Sequence, residues 1–232
     1  MSVWSWAYAI VVAVLVPLMS ARSLRSGAGM DLPRTSLYGS ICASLWVLAA
    51  LGFLVVKIDR QTLADVFVTW TPFEGSASRF PAWTISLAVA GLLIFALSHL
   101  LRRRMGLPDE EAALQRLRPR SPAETAWILL IVSPTAGICE EFLYRGFLMS
   151  RIAMIAGSSG FAAVLAAAVF GLAHAYQGRL GAARAAAISL VLALPVVATG
   201  SLLPAMAAHA LIDATGIVWL WPLLDRKRVV TP

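Results

Sequence analysis

The sequence predicts an all-α protein, a polytopic transmembrane helix bundle of about seven spans, and three observations carry that expectation. Of the 232 residues, 59% are hydrophobic and only 13% charged. The mean hydropathy is +0.79. Several apolar runs reach about 20 residues, enough to cross roughly 30 Å of hydrocarbon. The net charge of +7 would suggest nucleic acid in a soluble chain. Here the basic residues sit between apolar runs, where they set topology and meet anionic lipid, so no nucleic-acid partner is expected.

Hydropathy places the spans at Trp4 to Ser20, Leu37 to Val56, Trp83 to Leu101, Thr125 to Arg151, Phe161 to Tyr176, Ala185 to Thr199 and Leu202 to Trp221. The first resembles a secretory signal but lacks a basic leading region, so it reads as an uncleaved helix. Between Ala185 and Trp221 the apolar character is broken only by Pro195, Gly200 and Pro204, which predicts a tight hairpin there. Residues 1–122 thus read as three helices and a basic connector, and residues 123–232 as a second helical bundle, within one integral membrane domain. The connector from Met105 to Pro122 carries Asp109, Glu110 and Glu111 among its arginines and reads as solvated or surface-lying.

Loop charges set the expected orientation. Arg22, Arg25, Arg34, Arg102, Arg103, Arg104, Arg116, Arg118, Arg120, Arg179, Arg184, Arg226, Lys227 and Arg228 fall on one side, against Lys57, Arg60, Arg79 and Arg151 on the other. That asymmetry predicts an N-terminus outside and a C-terminus in the cytoplasm, and the expected location is the cell inner membrane. The small residues Ala162, Ala163, Ala166, Ala167, Ala168 and Gly171 let helix backbones approach closely and make the fifth span a central one. Cys42 and Cys139 lie in apolar runs and read as small buried hydrophobes.

Against this background the polar groups inside spans stand out, because an ionisable side chain at the bilayer centre costs about 3 kcal/mol and is a functional candidate by default. On the fourth span, Glu141 and Arg145 are four residues apart and share a face, while Glu140 is rotated from them by about 100°. One carboxylate is therefore expected to be neutralised structurally while the other stays available. Phe170 with His174, and His209 with Asp213, repeat the four-residue spacing on the fifth and seventh spans. An Asp beside a His fixes its tautomer or takes a role of its own. Any one pair reads as internal glue between helices; six such groups on three helices read as a shared site. The remaining histidine, His99, ends the third span beside Arg102 to Arg104 and reads as interfacial.

In order along the chain, Glu140-Glu141-Phe-Leu-Tyr-Arg145 reads as EExxxR, Phe170-Gly-Leu-Ala-His174 as FxxxH, and His209-Ala-Leu-Ile-Asp213 as HxxxD. The ordered triple, over roughly Thr125 to Trp221, resembles the CPBP family of intramembrane proteases, the CAAX prenyl protease and bacteriocin-processing group also called Abi. The resemblance implies an intramembrane peptidase in which Glu140 is the general base, His174 positions water, and His209 with Asp213 lies near the oxyanion or leaving group. Glu141, Arg145 and Phe170 would support them. The family accepts Asn or Asp at the last position; an Asn donates a hydrogen bond while neutral, whereas Asp213 donates only when protonated.

A metal-free site is preferred, with zinc as the alternative cofactor, in which Glu140, His174, His209 and Asp213 would be ligands; no HExxH is present. The partners implied are a membrane-anchored or lipid-modified protein substrate and the bilayer itself, and nothing in the sequence fixes an oligomeric state. Prenylated CAAX tails, bacteriocin leaders and sorting tails all fit, and the terminus Val229-Val230-Thr231-Pro232 carries no lipid-anchoring motif of its own. Two other classes remain open: a proton- or ion-coupled transporter, and a non-catalytic membrane binding protein.

One geometric demand accompanies the shared site. Counted from Pro122, Glu140 lies about 27 Å along the fourth helix, and counted from Gly160 in the opposite direction His174 lies about 21 Å along the fifth. For the two to meet, the fourth helix must be offset or unusually long, or Gly157 to Gly160 must dip into the bilayer, or the orientation must differ.

Overall fold

The computed structural model describes residues 1–26, 33–106 and 112–226, which form helices with no strand among them. Of the connector acids, Asp109, Glu110 and Glu111 lie outside the described residues, as do Lys227, Arg228 and the four terminal residues. The spans are α1 (residues 3–26), α2 (Arg34–Ile58), α3 (Arg79–Arg104), α5 (Pro122–Ala156), α6 (Ser159–Ala173), α7 (Gly178–Leu192) continuing into α8 (Leu194–Thr199), and α9 (Leu203–Leu224). A short α4 (Ala112–Leu117) lies in the connector.

Six of these stretches are long and apolar enough to cross a membrane, and α6 is a shorter apolar helix. Large apolar side chains point outward, among them Leu130 at 74% and Val3 at 73% exposure, the inverse of a soluble protein and a surface suited to lipid. The chain is an integral membrane protein.

Several boundaries differ from expectation. The sixth span begins before Ala185, so Arg184, expected in a loop, is buried one and a half turns inside α7. Arg102 and His99 are likewise buried within α3, which runs to Arg104. Pro195 sits in the first turn of α8, where a missing N–H costs nothing, and the reversal comes instead at Gly200, whose φ of +73° suits glycine.

Four π-helical turns interrupt the spans: Val11–Leu15, Ile128–Val132, Phe142–Leu148 and Gly216–Leu220. Three of them have a physical cause in sequence. Pro17, Pro134 and Pro222 each follow such a turn, and the carbonyl four residues before each proline, with which its ring would clash, falls inside it. The widened turn relieves the clash while the backbone stays bonded, as a membrane interior requires. The turn over Phe142–Leu148 has no such proline; it follows the glutamate pair and carries Arg145.

Packing closes a ring. α5 contacts α9, α9 contacts α3, α3 contacts α7, α7 contacts α6 and α6 returns to α5; α1 rests on α6 and α2 on α5. Two glycines set how tightly it closes. A Cβ on Gly137 of α5 would come within 2.6 Å of the Met206 carbonyl and 2.9 Å of the Ala210 nitrogen on α9, and one on Gly171 of α6 would meet the Ala182 carbonyl of α7 at 2.8 Å. The backbones touch there because no side chain intervenes.

At the far end, the loop after α2 folds inward. The Leu202 N–H donates to the Phe67 carbonyl at 2.9 Å and the Ser201 hydroxyl to the Thr69 carbonyl at 2.7 Å, tying this loop to the turn before α9.

Candidate active site

α5 spans 35 residues, far more than a bilayer needs, and it turns back through Gly157, whose φ of +66° ends the helix, with the Ser158 side chain capping α6. From that shared turn, Glu140 lies about 24 Å back along α5 and His174 about 22 Å along α6. The two side chains therefore reach the same level. The unusual length of the fourth helix meets the geometric demand set by a shared site.

His174 Nε2 lies 3.8 Å and His209 Nε2 3.9 Å from the same oxygen, Oε2 of Glu140. Three helices thus converge on one carboxylate. The second glutamate faces elsewhere: Glu141 Oε1 lies 2.9 Å from Arg145 Nη1 and accepts a 2.7 Å hydrogen bond from His209 Nδ1. Exposure separates the pair, since Glu141 is fully buried and Glu140 keeps 17% of its side chain accessible. Asp213, at 33%, is the most open of the group, with Oδ2 3.7 Å from His209 Nε2.

Hydrogen bonding assigns the imidazole tautomers. His174 Nδ1 is 2.9 Å from the Phe170 carbonyl, one turn earlier, and a carbonyl only accepts. Nδ1 therefore carries the proton, and in the neutral ring Nε2 presents a lone pair toward Glu140. By the same logic His209 Nδ1 donates to Glu141, leaving Nε2 to face Glu140 and Asp213.

Phe170 is the hub of this arrangement. Its ring lies 4.3 Å from that of His174, 6.1 Å from that of His209 and 4.9 Å from that of Tyr144, and the Arg145 guanidinium sits 4.6 Å above it. None of the Arg145 N–H groups is aligned for a hydrogen bond, so the cation is held by Glu141 as a charge pair and by the aromatic face.

The site opens on a cavity of about 610 Å³. Glu140, His174, His209 and Asp213 line one part of it, and apolar residues of α1 and α2, including Met19, Ile41 and Leu45, line another. Tyr176, Gln177 and Arg184 also face it, and sequence reading passed over all three. The available signal was the seven-residue spacing of Gln177 and Arg184, two helical turns apart on one face, within a stretch that the sequence places between two spans.

Among the described residues no group of three or more His, Cys, Asp or Glu is arranged to hold a metal ion. Bonds of about 2.0 to 2.1 Å to a tetrahedral zinc set its donors about 3.4 Å apart, and the N to O separations among Glu140, His174, His209 and Asp213 are 3.7 to 3.9 Å.

Residues 122–215 match the family model described as Type II CAAX prenyl endopeptidase Rce1-like. The matched segment runs from the start of α5 into α9 and contains all three motifs. It supports membership in the CPBP family and, at family level, a CAAX-protease-like hydrolase acting on a membrane-associated substrate. No curated protein and no solved structure matches the chain.

Proposed function

We propose that this CPBP-type chain is an intramembrane endopeptidase that hydrolyses a peptide bond near the C-terminus of a membrane-anchored, lipid-modified protein, with Glu140 activating the water. The observation that carries this reading is the convergence of His174 Nε2 and His209 Nε2 on one oxygen of Glu140, from three helices, beside a cavity with an apolar wall. Separations of 3.8 and 3.9 Å are too long for direct hydrogen bonds and suit a bridging water.

Glu140 takes a proton from that water while the His174 Nε2 lone pair accepts its second hydrogen and orients it. The oxygen adds to the peptide carbonyl, forming a C–O bond. His209, protonated at both nitrogens, keeps Nδ1–H on Glu141 and offers Nε2–H to the developing oxyanion, with Asp213 beside it. Collapse breaks the C–N bond, and the proton held on Glu140 passes to the leaving amine. Glu141 and Arg145 fix His209 without touching substrate. Loop charge favours an orientation with the C-terminus in the cytoplasm, which places the basic ends of the helices beside anionic lipid.

The test is cleavage of a quenched fluorescent peptide bearing a farnesylated CAAX tail by the purified full chain in proteoliposomes. Glu140→Gln is expected to lose on the order of a thousandfold in kcat, the middle of the range for general-base catalysis, with its thermal midpoint unchanged. Turnover surviving that substitution defeats the assignment. Metal analysis of the same preparation is expected to find no stoichiometric zinc, and turnover to survive chelation; zinc required at one equivalent would transfer the mechanism to the metal alternative.

A further inference from the structure

Beside the catalytic groups lies a chain of hydrogen bonds whose direction is dictated by one residue. Arg184 is buried in α7, and its guanidinium stacks 4.7 Å from the Phe95 ring of α3. Its Nη2 lies 3.0 Å from the side chain of Gln177. A guanidinium only donates, so the Gln177 atom facing it is the amide oxygen. The amide nitrogen of Gln177 then faces the other way, 3.0 Å from the Tyr176 hydroxyl, and as an NH₂ group it also only donates. Tyr176 Oη must accept that bond. Its own proton is directed elsewhere, and among the described residues it has no acceptor.

The ring that carries this proton is fixed. Tyr176 lies 5.7 Å from the His174 ring at an interplanar angle of 34°, its backbone N–H donates to Ser20 Oγ at 3.2 Å, and it lines the same cavity as Glu140, His209 and Asp213. A donor that receives a hydrogen bond from an amide, itself polarised by a cation, is a stronger donor than an isolated phenol. A buried Gln and a buried Arg held in this order have a clear physical effect: they set the hydroxyl rotor.

We infer that Tyr176 is a further substrate-binding residue, whose O–H donates to a carbonyl oxygen of the bound peptide beside the scissile bond, with Gln177 and Arg184 as its positioning residues. The inference rests on the peptidase reading above. The ligand chemistry is a peptide carbonyl, an acceptor that every peptide substrate presents whatever its lipid.

The farnesylated CAAX peptide assay in proteoliposomes tests it. Tyr176→Phe is expected to lower kcat/KM about tenfold, the scale of one neutral hydrogen bond made to substrate. Gln177→Leu is expected to lower it severalfold in the wild-type background and not at all in the Y176F background, because its effect passes through the hydroxyl. Additive losses would make the residues independent packing elements and overturn the proposal, as would full activity of Tyr176→Phe.

Should Tyr176→Phe fail to fold, site-specific replacement of Tyr176 by 3,5-difluorotyrosine keeps the ring while making its phenol a stronger acid. A catalytically engaged hydroxyl then adds a falling alkaline limb to the kcat/KM profile, and an unchanged profile overturns the inference. A wild-type chain that leaves the peptide intact removes the peptidase reading and this inference together, whereas wild-type turnover with an unaffected Y176F variant removes the inference alone.

Discussion

Replacing Glu141 by Gln takes one formal charge from the most buried ion pair of the site. Glu141 is fully buried and Arg145 is 1% exposed, and the carboxylate oxygen is shared between Arg145 Nη1 at 2.9 Å and His209 Nδ1 at 2.7 Å. An arginine cannot shed its proton. The substitution therefore leaves the cation without its directly paired carboxylate, against the Phe170 ring and a neutral amide, and breaking a buried pair on one side costs about 3 to 5 kcal/mol. Glu141→Gln with Arg145→Met removes the orphaned charge as well and fills its volume with an apolar chain, which is often neutral for stability.

The double variant is thus expected to regain most of the stability lost by the single one. Activity should behave differently, because the anionic partner that orients His209 and supports its doubly protonated form is gone in both; a loss of at least about a hundredfold is expected in each, by analogy with loss of the carboxylate behind the histidine in other imidazole-dependent hydrolases. Unfolding in mixed micelles measures the first quantity and peptide cleavage the second. A double variant no more stable than Glu141→Gln, or one that recovers turnover, would refute the division of roles between Glu141, which holds His209 and Arg145, and Glu140, the proposed base.

Two further outcomes follow from the packing. Gly137→Val places a side chain where the α9 backbone lies within 2.9 Å, so α5 and α9 must separate; overpacking on the order of 1 to 3 kcal/mol is expected in unfolding assays, with cleavage lost more completely than stability because His209 is carried on the displaced helix. Asp59, just beyond α2, accepts from the Ser2 N–H at 2.9 Å and the Ser5 hydroxyl at 2.6 Å, with the Arg151 guanidinium 3.6 Å away. Burial works to raise its carboxyl, but those hydrogen bonds and the Arg151 charge outweigh it and hold the group below the usual carboxylate range. A depressed folded-state value means that the stabilisation is complete above the unfolded value near 4 and fades as pH falls through the folded one. The stability gap between wild type and Asp59→Asn should therefore stay level down to roughly pH 4 and narrow below it; a gap independent of pH would show that the carboxylate charge is not what ties α1 to the end of α5.

Much of the site was legible in sequence because its pairings are local. Glu141 with Arg145, Phe170 with His174, and His209 with Asp213 each lie four residues apart, and helical periodicity brings such residues to one face before any tertiary contact forms. The membrane setting was equally legible, since an apolar run long enough to span and a carboxylate within it are both properties of the chain alone.

The reach of Glu140 to His174 was not local and depended on a reference point. Measured from Pro122 the two miss each other; measured from the Gly157 turn, where the chain reverses, they lie level. Arg184 was misplaced for a similar reason, since a loop charge and a charge buried against an aromatic ring have the same letter, and only the neighbouring Phe95 and Gln177 distinguish them. The sequence by itself determined a membrane helix bundle, its three motifs and the face each occupies, because these follow from hydropathy and from 3.6 residues per turn. Only the tertiary structure decided that the three faces meet at one oxygen of Glu140 and that Glu141 is closed away from it, because depth along a helix and contact between backbones are set by where α5 turns at Gly157 and how closely α9 approaches at Gly137.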